Sequence, residues 1–371
     1  MLGRPHPHAS FESAIRLVSL DMHSSPMTSL ETIFILVPAG QATNGEYVRV
    51  LVTGGSGFVG SHAAVQLLRQ GHEVTNLDPR GQPELLTELG AQHVKGDIRE
   101  QELVAQTLGS SRFDAVMHFA GLIQAGESVQ APMEYFSVNV AASINLMRAA
   151  LSSGIGRVVF SSSAAVYGNP LHSAIAEDHR FAPISPYGRS KAMVEEMLSD
   201  LDAAHALRSV SLRYFNAAGA SAADGLREAH EPETHLIPLA IRAALDPSYA
   251  LKVFGDDYPT SDGTCVRDFV HVADIAAAHL LALDYLDQGG QTTAFNLGSE
   301  SGFTVLQVLR EVERAAAKKV KYTVSDRRAG DPATLIADSS KARNELGWQP
   351  SRSDLASIVE DAVHASTGVA P

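Results

Sequence analysis

Two side chains that could transfer a proton stand four residues apart in the segment SPYGRSKAM, which runs from Ser185 to Met193. At this spacing Tyr187 and Lys191 share one face of a helix. Ser185 is a good N-cap and Pro186 a good first helical residue, so the sequence predicts that a helix begins here. A nearby cation favours the phenolate form of a tyrosine, which could then act as a base near neutral pH. The spacing alone is equally compatible with an exposed polar pair.

The residues that follow indicate which way this pair faces. Steps of three and four from Lys191 reach Val194, Leu198 and Leu201, which are all apolar. We therefore expect Tyr187 and Lys191 to point inward, where a lysine is costly unless it has a partner or a function.

A run of three serines, Ser161 to Ser163, ends an apolar strand upstream of this helix. The hydroxyl of Ser163 could hydrogen-bond a substrate or relay its proton. Serine-rich strand ends are common, so Ser163 by itself is weak evidence.

A glycine-rich turn follows the first apolar strand, RVLVTG, and precedes a helical stretch. Gly55, Gly57 and Gly60 form GxGxxG, and Gly54, Gly57 and Gly60 form GxxGxxG. Such glycines let the backbone approach a pyrophosphate, and the helix N-terminus offers it free N–H groups. Asp78 ends the next strand, where its carboxylate would hold a ribose hydroxyl and repel a 2′-phosphate, which favours NAD over NADP. Further contacts with the cofactor are expected from the first helix and later strand ends: Phe58, Val59, Asp97, Ile98, Phe119, Ala120 and Gly121.

Strand-like and helical segments alternate from Val48 to Asn216, including a long helical span from Met133 to Leu151. This order predicts an α/β fold with a doubly wound, Rossmann-type parallel sheet. Beyond Asn216 the alternation loosens, which indicates a smaller C-terminal substrate-binding lobe over the strand ends. We expect an NAD-binding domain at residues 48–216, to which part of 264–297 returns, and a substrate-binding lobe at 217–371. Residues 1–47 lack this pattern and are interpreted as a disordered extension or as sequence before the natural start.

Composition excludes several classes of protein. The 371 residues carry a formal net charge of -13, which argues against nucleic-acid binding. No apolar run approaches the roughly 18 residues of a membrane-spanning helix. A single cysteine, Cys265, excludes an internal disulfide and fits a cytoplasmic location. The 15 histidines show no HExxH or similar spacing, so no metal site is expected.

The motifs TGGSGFVG, GDI, HFAG, SSSAAVYG and YGRSK occur in one order, and together they resemble the extended short-chain dehydrogenase/reductase family. GES, SVN, LRYFNAAGA, FGDDYPTSDGTCVRDFVHVAD and RRAGDPA bring the chain closer to the UDP-glucose 4-epimerase family within it. The resemblance implies that Tyr187 takes the proton of a sugar 4-hydroxyl while hydride passes to bound NAD⁺. A 4-keto sugar then turns over and receives the hydride on its other face. Lys191 and Ser163 are the implied catalytic partners of Tyr187.

The resemblance also implies binding residues. Further cofactor contacts would come from residues that include the catalytic pair: Asn139, Ser161, Tyr187, Lys191 and Tyr214. Contacts with the UDP-sugar would come from Ser163, Tyr187, Phe215, Asn216, His235, Leu236, Arg267, Arg328 and Asp331. For His235, which stands where relatives often have asparagine, a helix-capping role is an equal alternative. A homodimer is implied as well, through the helices that begin at Met133 and Pro186.

Three positions leave the sugar open, because Ile123, Ala165 and Leu335 differ from residues frequent in the family. A 4-epimerase of UDP-N-acetylglucosamine, UDP-xylose/arabinose or UDP-glucuronate is therefore an alternative. A nucleotide-sugar 4,6-dehydratase would need an Asp-Glu pair where this chain has Ala164-Ala165. A non-catalytic NAD-binding regulator is a further alternative, although it would not require an inward-facing Tyr187.

Overall fold

The computed structural model describes residues 47–170, 172, 174–328 and 331–368. The extension expected at residues 1–47 lies, apart from Tyr47, outside the described residues. Among those that are described, no helix has the length and apolar character needed to cross a membrane.

Strands and helices alternate through the first half of the described chain. The strands are β1 (Arg49–Thr53), β2 (Glu73–Asp78), β3 (Gln92–Lys95), β4 (Ala115–His118) and β5 (Arg157–Ser163). The helices are α1 (Phe58–Arg69), α2 (Glu84–Glu88), α3 (Gln101–Ser110), α4 (Ala125–Gln130), α5 (Pro132–Phe136) and α6 (Ala142–Ser152). A π-helical turn, Ser137–Ala141, joins α5 to α6, so the single helix expected from Met133 to Leu151 is interrupted.

The second half has longer excursions between its elements. Its strands are β6 (Ala174–Ile175), β7 (Arg208–Tyr214), β8 (Asn216–Ala218), β9 (Leu251–Phe254), β10 (Val266–His271), β11 (Thr293–Leu297), β12 (Gly302–Thr304), β13 (Tyr322–Ser325) and β14 (Thr334–Ala337). Its α-helices are α7 (Pro186–His205), α8 (Leu236–Leu245), α9 (Val272–Asp287), α10 (Val305–Ala316), α11 (Ser340–Glu345) and α12 (Leu355–Thr367). Two short 3₁₀ helices lie at Ala164–Val166 and Ala222–Asp224.

A seven-stranded sheet in the described part of the chain has the order β3-β2-β1-β4-β5-β7-β11. All of its neighbouring strands are parallel. Apolar side chains are buried on both of its faces, as a parallel sheet between two helical layers requires. The chain runs outward in both directions from β1, so a crevice opens at the carboxyl ends of β1 and β4. The predicted doubly wound fold is confirmed.

The smaller lobe is built on a second, mixed sheet of five strands. Its order is β12-β10-β14-β6, with β8 paired to β10, and β13 pairs separately with β9. The helices α8, α10 and α12 pack around this lobe's own apolar core. The strand β11 then returns the chain to the large sheet, where it pairs with β7.

Candidate active site

The glycine turn between β1 and α1 is closed so tightly that side chains would not fit. Gly54 has a φ of +76°, and a Cβ there would lie 2.6 Å from the backbone nitrogen of Ala120. A Cβ on Gly60 would lie 2.3 Å from the carbonyl oxygen of Gly54. Gly57 is the N-cap of α1 and supplies no side-chain cap, so the first N–H groups of Phe58 and Val59 face the crevice end of the helix. This bare, positively polarised cradle fits a pyrophosphate.

Asp78 lies at the carboxyl end of β2, beside that cradle. Its side chain is 1% exposed and accepts a hydrogen bond from the backbone nitrogen of Ser56 at 3.1 Å. The carboxylate also holds Arg80 in a two-pronged ion pair, with Nε to Oδ1 and Nη2 to Oδ2 both at 3.1 Å. Arg80, which was not expected at the site, brings a positive charge to the position where Asp78 was expected to repel a phosphate.

The helix α7 begins as predicted. Ser185 is its N-cap and accepts a hydrogen bond from the backbone nitrogen of Gly188, and Pro186 is its first residue. Lys191 is 3% exposed, and Val194 and Leu198 continue the buried stripe. The inward orientation expected from the apolar periodicity is therefore confirmed.

Lys191 is held beside the carboxyl end of β5. Its Nζ donates a hydrogen bond to the carbonyl oxygen of Ser161 at 2.7 Å, and it lies 6.0 Å from the centre of the Tyr187 ring. Burial lowers the pKa of Lys191 to about 8, although the charge of Glu195 opposes this shift. A Cβ on Gly121 would lie 3.8 Å from Nζ, so the end of β4 reaches the same place.

Tyr187 is partly buried, and its hydroxyl interacts with the Ser163 side chain. Burial raises the pKa of Tyr187, and the interaction with Ser163 only partly offsets that rise. The protein alone therefore favours the phenol, so the phenolate needs a further positive charge at this site.

Asn139 lies in the π-helical turn and joins three segments. Its Oδ1 accepts from the backbone nitrogen of Leu122 at 2.8 Å, and its Nδ2 donates to Ser190 Oγ at 3.0 Å. Single π-turns are frequent at functional sites. This one ties the loop after β4 to α7, close to Lys191.

A group of buried contacts supports the site from the side of β7. Glu195 forms an ion pair with Arg213 at 2.6 Å, and both side chains are less than one-tenth exposed. Ser162 Oγ donates to the same carboxylate, and Arg213 Nη1 donates to Tyr167 Oη at 2.8 Å. Sequence reasoning missed this network, since none of its members forms a local pattern with its partner.

The other expected cofactor residues surround the same crevice. The rings of Phe119 and Tyr214 both pack on His279 of α9, with centroids 4.5 Å and 6.2 Å away. Tyr214 also hydrogen-bonds with Ser161 Oγ. His279, which sequence reasoning missed, is fully buried, and that burial lowers its pKa to about 4.

Asp97 and Ile98 follow β3 at the far end of the crevice. Asp97 pairs with Arg99 at 2.8 Å, which holds the pKa of that carboxyl below its usual range. Ile98 is 3% exposed and belongs to the apolar core. Its contribution to a ligand would therefore come from its backbone.

The smaller lobe brings together three of the residues expected to bind substrate. Arg267 Nη2 lies 3.4 Å from Asp331 Oδ1. The exposed Arg328 stacks on Phe254, with its Cζ 4.1 Å from the ring centre. Cys265, which is buried, feels the charges of Arg267, Asp331 and Arg328, so these groups share one neighbourhood. Two arginines here could hold a diphosphate.

Three other expected substrate residues are already engaged with the protein. Phe215 is 9% exposed and packs in a small core with Ala164 and Tyr167. Asn216 Nδ2 donates to the carbonyl oxygen of Asp268 at 2.7 Å. Leu236 begins α8 and packs against the core of the smaller lobe.

His235 occupies the N-cap position of α8, but its side chain makes no capping hydrogen bond. The capping alternative is therefore wrong for the side chain. Its Nδ1 instead contacts Glu228 Oε1 at 2.7 Å and Glu233 Oε1 at 2.8 Å. Burial opposes protonation, but these two carboxylates outweigh it and raise the pKa of His235 to about 10.

Comparisons with known proteins agree with this geometry. Residues 50–298 match the NAD dependent epimerase/dehydratase family. The chain belongs to this family. A UDP-glucose 4-epimerase of Rhizobium meliloti (strain 1021) is 46% identical over 315 residues, which cover 84% of this chain and 95% of the relative.

Solved structures of UDP-glucose 4-epimerases are also similar to this chain. UDP-glucose 4-epimerase from Brucella ovis in complex with NAD superposes with a TM-score of 0.82 at 41% identity, covering 85% of this chain and 97% of that one. The enzyme from Stenotrophomonas maltophila, with bound NAD and formylated UDP-arabinopyranose, gives 0.82 at 39% identity, covering 87% and 98%.

The segment that matches the epimerase/dehydratase family contains the glycine cradle, Tyr187, Lys191 and Arg267, whereas Arg328 and Asp331 lie beyond it. The family match thus covers the cofactor-side crevice and part of the smaller lobe. The side of the crevice formed by the smaller lobe depends on contacts between distant segments, such as the ion pair of Arg267 with Asp331.

Proposed function

We propose that this protein interconverts UDP-glucose and UDP-galactose by NAD-dependent epimerisation at C4. The observation that carries the proposal is the convergence of Tyr187, Ser163 and Lys191 at the edge of the sheet that also holds the glycine cradle. The family membership and the 46% identity to a UDP-glucose 4-epimerase support the substrate class.

Tyr187 acts as the base in this mechanism. Its oxygen takes the proton of the sugar 4-hydroxyl, while Ser163, which interacts with Tyr187, orients that hydroxyl or relays the proton. When the hydride returns to the opposite face of the 4-keto sugar, Tyr187 gives the proton back, so no net change in charge remains.

Lys191 stabilises the phenolate and would bind the cofactor's ribose at the same edge. NAD⁺, when bound, supplies hydride acceptance and return at C4 together with a positive charge beside the phenol. Gly54, Gly57 and Gly60 would cradle its pyrophosphate, and Asp78 would hold its adenosine ribose.

The arginines of the smaller lobe would hold the UDP moiety. Arg267 and Arg328 supply positive charge to the diphosphate, and Asp331, which pairs with Arg267, is placed to accept from the uridine ribose. A substrate gripped at its diphosphate can leave the sugar free to turn, which epimerisation through a 4-keto intermediate requires.

A different nucleotide sugar is the second candidate. Leu335 packs against the small core that contains Phe215 and Ala164. Leucine is intermediate in size, so this position would not by itself select one sugar. The bound formylated UDP-arabinopyranose of the Stenotrophomonas maltophila structure supports considering UDP-pentoses as well.

Incubation of the purified protein with UDP-galactose and with UDP-N-acetylgalactosamine, without added NAD, tests the proposal. We expect UDP-glucose from the first sugar, and expect Tyr187→Phe to reduce that turnover by about 10² to 10⁴-fold. Tyr249→Phe is the matched control, since Tyr249 packs on Arg242 away from the crevice. Unchanged turnover by Tyr187→Phe would refute the mechanism, and no product from either sugar would refute the substrate class.

We also propose the arrangement in which this enzyme works. Residues 48–216, with the returning part of 264–297 that contains α9 and β11, form the NAD-binding domain, and 217–371 supply the substrate lobe. The protein is proposed to be a cytoplasmic homodimer. The single, buried cysteine and the exposed apolar side chains of α5, α6 and α7 support these two assignments.

A further inference from the structure

Four potential metal ligands converge in the loop that precedes α8. Within EAHEPETH, Glu228, His230, Glu233 and His235 each offer one ligand atom, and these atoms lie within 4.8 Å of one another. No metal site was expected here, because the spacing differs from HExxH and similar helical motifs. The sequence signal for this cluster is the local density of Glu and His in eight residues.

The loop turns these four side chains inward. Each of the four residues is partly buried, whereas the residues between and around them are exposed. The exposed set is Arg227, Ala229, Glu231, Pro232 and Thr234. An ordinary solvated loop would place its charged groups outward, so the alternation indicates that the four are held around a common point.

The contacts at that point place one imidazole nitrogen between two carboxylates. His235 Nδ1 lies 2.7 Å from Glu228 Oε1 and 2.8 Å from Glu233 Oε1, although one nitrogen can donate only one proton. His230 Nδ1 lies 3.3 Å from Glu228 Oε1, yet that buried nitrogen has no hydrogen-bond partner in the described part of the chain. The carboxylate of Glu228, only 7% exposed, therefore stands between two imidazoles.

Little else orders this loop. Residues 227–234 make no backbone–backbone hydrogen bond to any described residue, although Gln124 Nε2 donates to the carbonyl oxygen of Pro232 at 3.2 Å. Glu233 Oε1 accepts from the backbone nitrogens of Thr234 and His235 at 2.7 Å and 2.8 Å. Here the side-chain cluster is what connects the loop to the first turn of α8.

We propose that Glu228, His230, Glu233 and His235 form a binding site for one divalent transition-metal ion of the zinc type. Two imidazole nitrogens and two carboxylate oxygens are a common tetrahedral ligand set for zinc, and nitrogen ligands disfavour magnesium and calcium. Metal bonds of about 2.1 Å place tetrahedral ligand atoms about 3.4 Å apart, which lies within the spread of the four observed atoms. The ion replaces the proton on His235 Nδ1, and its role is to order the loop and the start of α8.

Titration of chelator-treated, full-length protein with ZnCl₂ tests this site. We expect one zinc ion per chain and a rise in the melting temperature when zinc is added. Glu233→Gln and His230→Gln should each weaken zinc binding by at least about 10-fold and abolish the thermal shift. The control His205→Gln changes an exposed histidine at the end of α7 and should keep both properties.

Because His230→Gln could disturb folding, circular dichroism and retained NAD are measured on every variant, and Glu233→Gln provides an isosteric second test. Cobalt substitution of the unaltered protein should give the intense visible absorption of a tetrahedral site. The proposal is overturned if no stoichiometric zinc binds, or if zinc binds equally to both variants. The result is independent of sugar turnover, so either proposal can fail without the other.

Discussion

Arg80 shares the carboxylate that was expected to select the cofactor. Asp78 is buried, whereas the Arg80 side chain is 59% exposed and can swing away from it. The guanidinium offsets the charge that would repel a 2′-phosphate and competes with the ribose for the same oxygens. Selection of NAD over NADP should therefore be weaker than Asp78 alone would produce.

Replacement of this side chain should sharpen the selection. We expect Arg80→Ala to weaken binding of NADP by about 10-fold, since a charged hydrogen bond contributes about 1.5–3 kcal/mol, and to leave NAD binding equal or tighter. Titration of cofactor-free protein with each dinucleotide measures both affinities. Arg112→Ala, which removes an exposed arginine before β4, should change neither. Equal losses for NAD and NADP would show that Arg80 has no part in selection.

Lys191 should set the pH at which Tyr187 becomes a base. Burial raises the pKa of Tyr187. Lys191 Nζ lies 6.0 Å from the centre of the Tyr187 ring, and a positive charge at that distance should favour the phenolate. The turnover rate should therefore rise with pH as Tyr187 loses its proton. In Lys191→Met the midpoint of that rise should move to higher pH by about 1–3 units, with a lower rate at neutral pH.

The burial of Lys191 also limits how far its charge can stabilise the Tyr187 phenolate at alkaline pH. Its pKa lies at about 8, so its own charge declines above that pH unless bound substrate or cofactor changes its environment. Pre-steady-state rates measured from pH 6 to 10, in steps of roughly half a pH unit, would resolve both the rise due to Tyr187 and the decline due to Lys191. Lys252→Met changes an exposed lysine on β9 and should leave the profile in place. A midpoint that stays fixed in Lys191→Met would restrict Lys191 to cofactor binding.

At the level of elements, the junction of β1 with α1 depends on the absence of side chains. Gly60→Ala would force its methyl group to within 2.3 Å of the Gly54 carbonyl oxygen, so the turn must open. We expect the purified variant to carry at least about 10-fold less NAD, because the helix N-terminus no longer approaches the pyrophosphate. Cofactor released on denaturation can be quantified by absorbance.

Gly109→Ala is the control for that experiment. Gly109 lies in α3, and a Cβ there would meet nothing within 4 Å. Its folding should be unchanged or slightly improved, because alanine is the better helix former. A Gly60→Ala protein that folds and retains a full complement of NAD would contradict the cradle.

Elements whose signals are local could be predicted from the sequence. The glycine turn and the start of α7 at Ser185 follow from neighbouring residues, and the structure has both. The π-helical turn at Ser137–Ala141 could not be predicted, because its residues read as an ordinary continuation of a helix. Its cause lies in tertiary contacts, such as those of Asn139 with Leu122 and Ser190.

Pairings between distant segments could not be predicted from the sequence either. The ion pair of Glu195 with Arg213 joins residues 18 positions apart, and nothing in the sequence pattern indicated that Arg80 would pair with Asp78. Arg267 and Asp331 were expected on the basis of resemblance, and only the fold shows them in contact. Burial and charge can be inferred for one position, but a partner requires the topology.

For the whole molecule, exposed apolar residues indicate how two copies could associate. Met133 of α5, Ile144 of α6 and Met193 of α7 are 77%, 40% and 41% exposed, and α5 packs directly against α7. We expect the protein to sediment as a dimer at micromolar concentration. Met133→Glu and Met193→Glu should shift it toward the monomer, because each buries a charge in an apolar interface.

Val324→Glu serves as the comparison for that measurement. Val324 is 49% exposed but lies on β13 of the smaller lobe, away from these helices. Sedimentation equilibrium should show a dimer for this variant and for the unaltered chain. If the unaltered chain is a monomer, the proposed association surface does not exist. If the dimer is lost only in Val324→Glu, the association surface lies elsewhere.

The return of β11 to the large sheet has a consequence for how such a protein can evolve. The strands β8 to β10 precede it in the smaller lobe, and β12 to β14 follow it there, so the chain crosses between lobes more than once. A single recombination event between genes cannot exchange one lobe intact, because any one breakpoint cuts through the main-chain pairing of a sheet. A lobe of this kind is therefore inherited together with the sheet that it crosses, and single substitutions are the simpler route to a changed site.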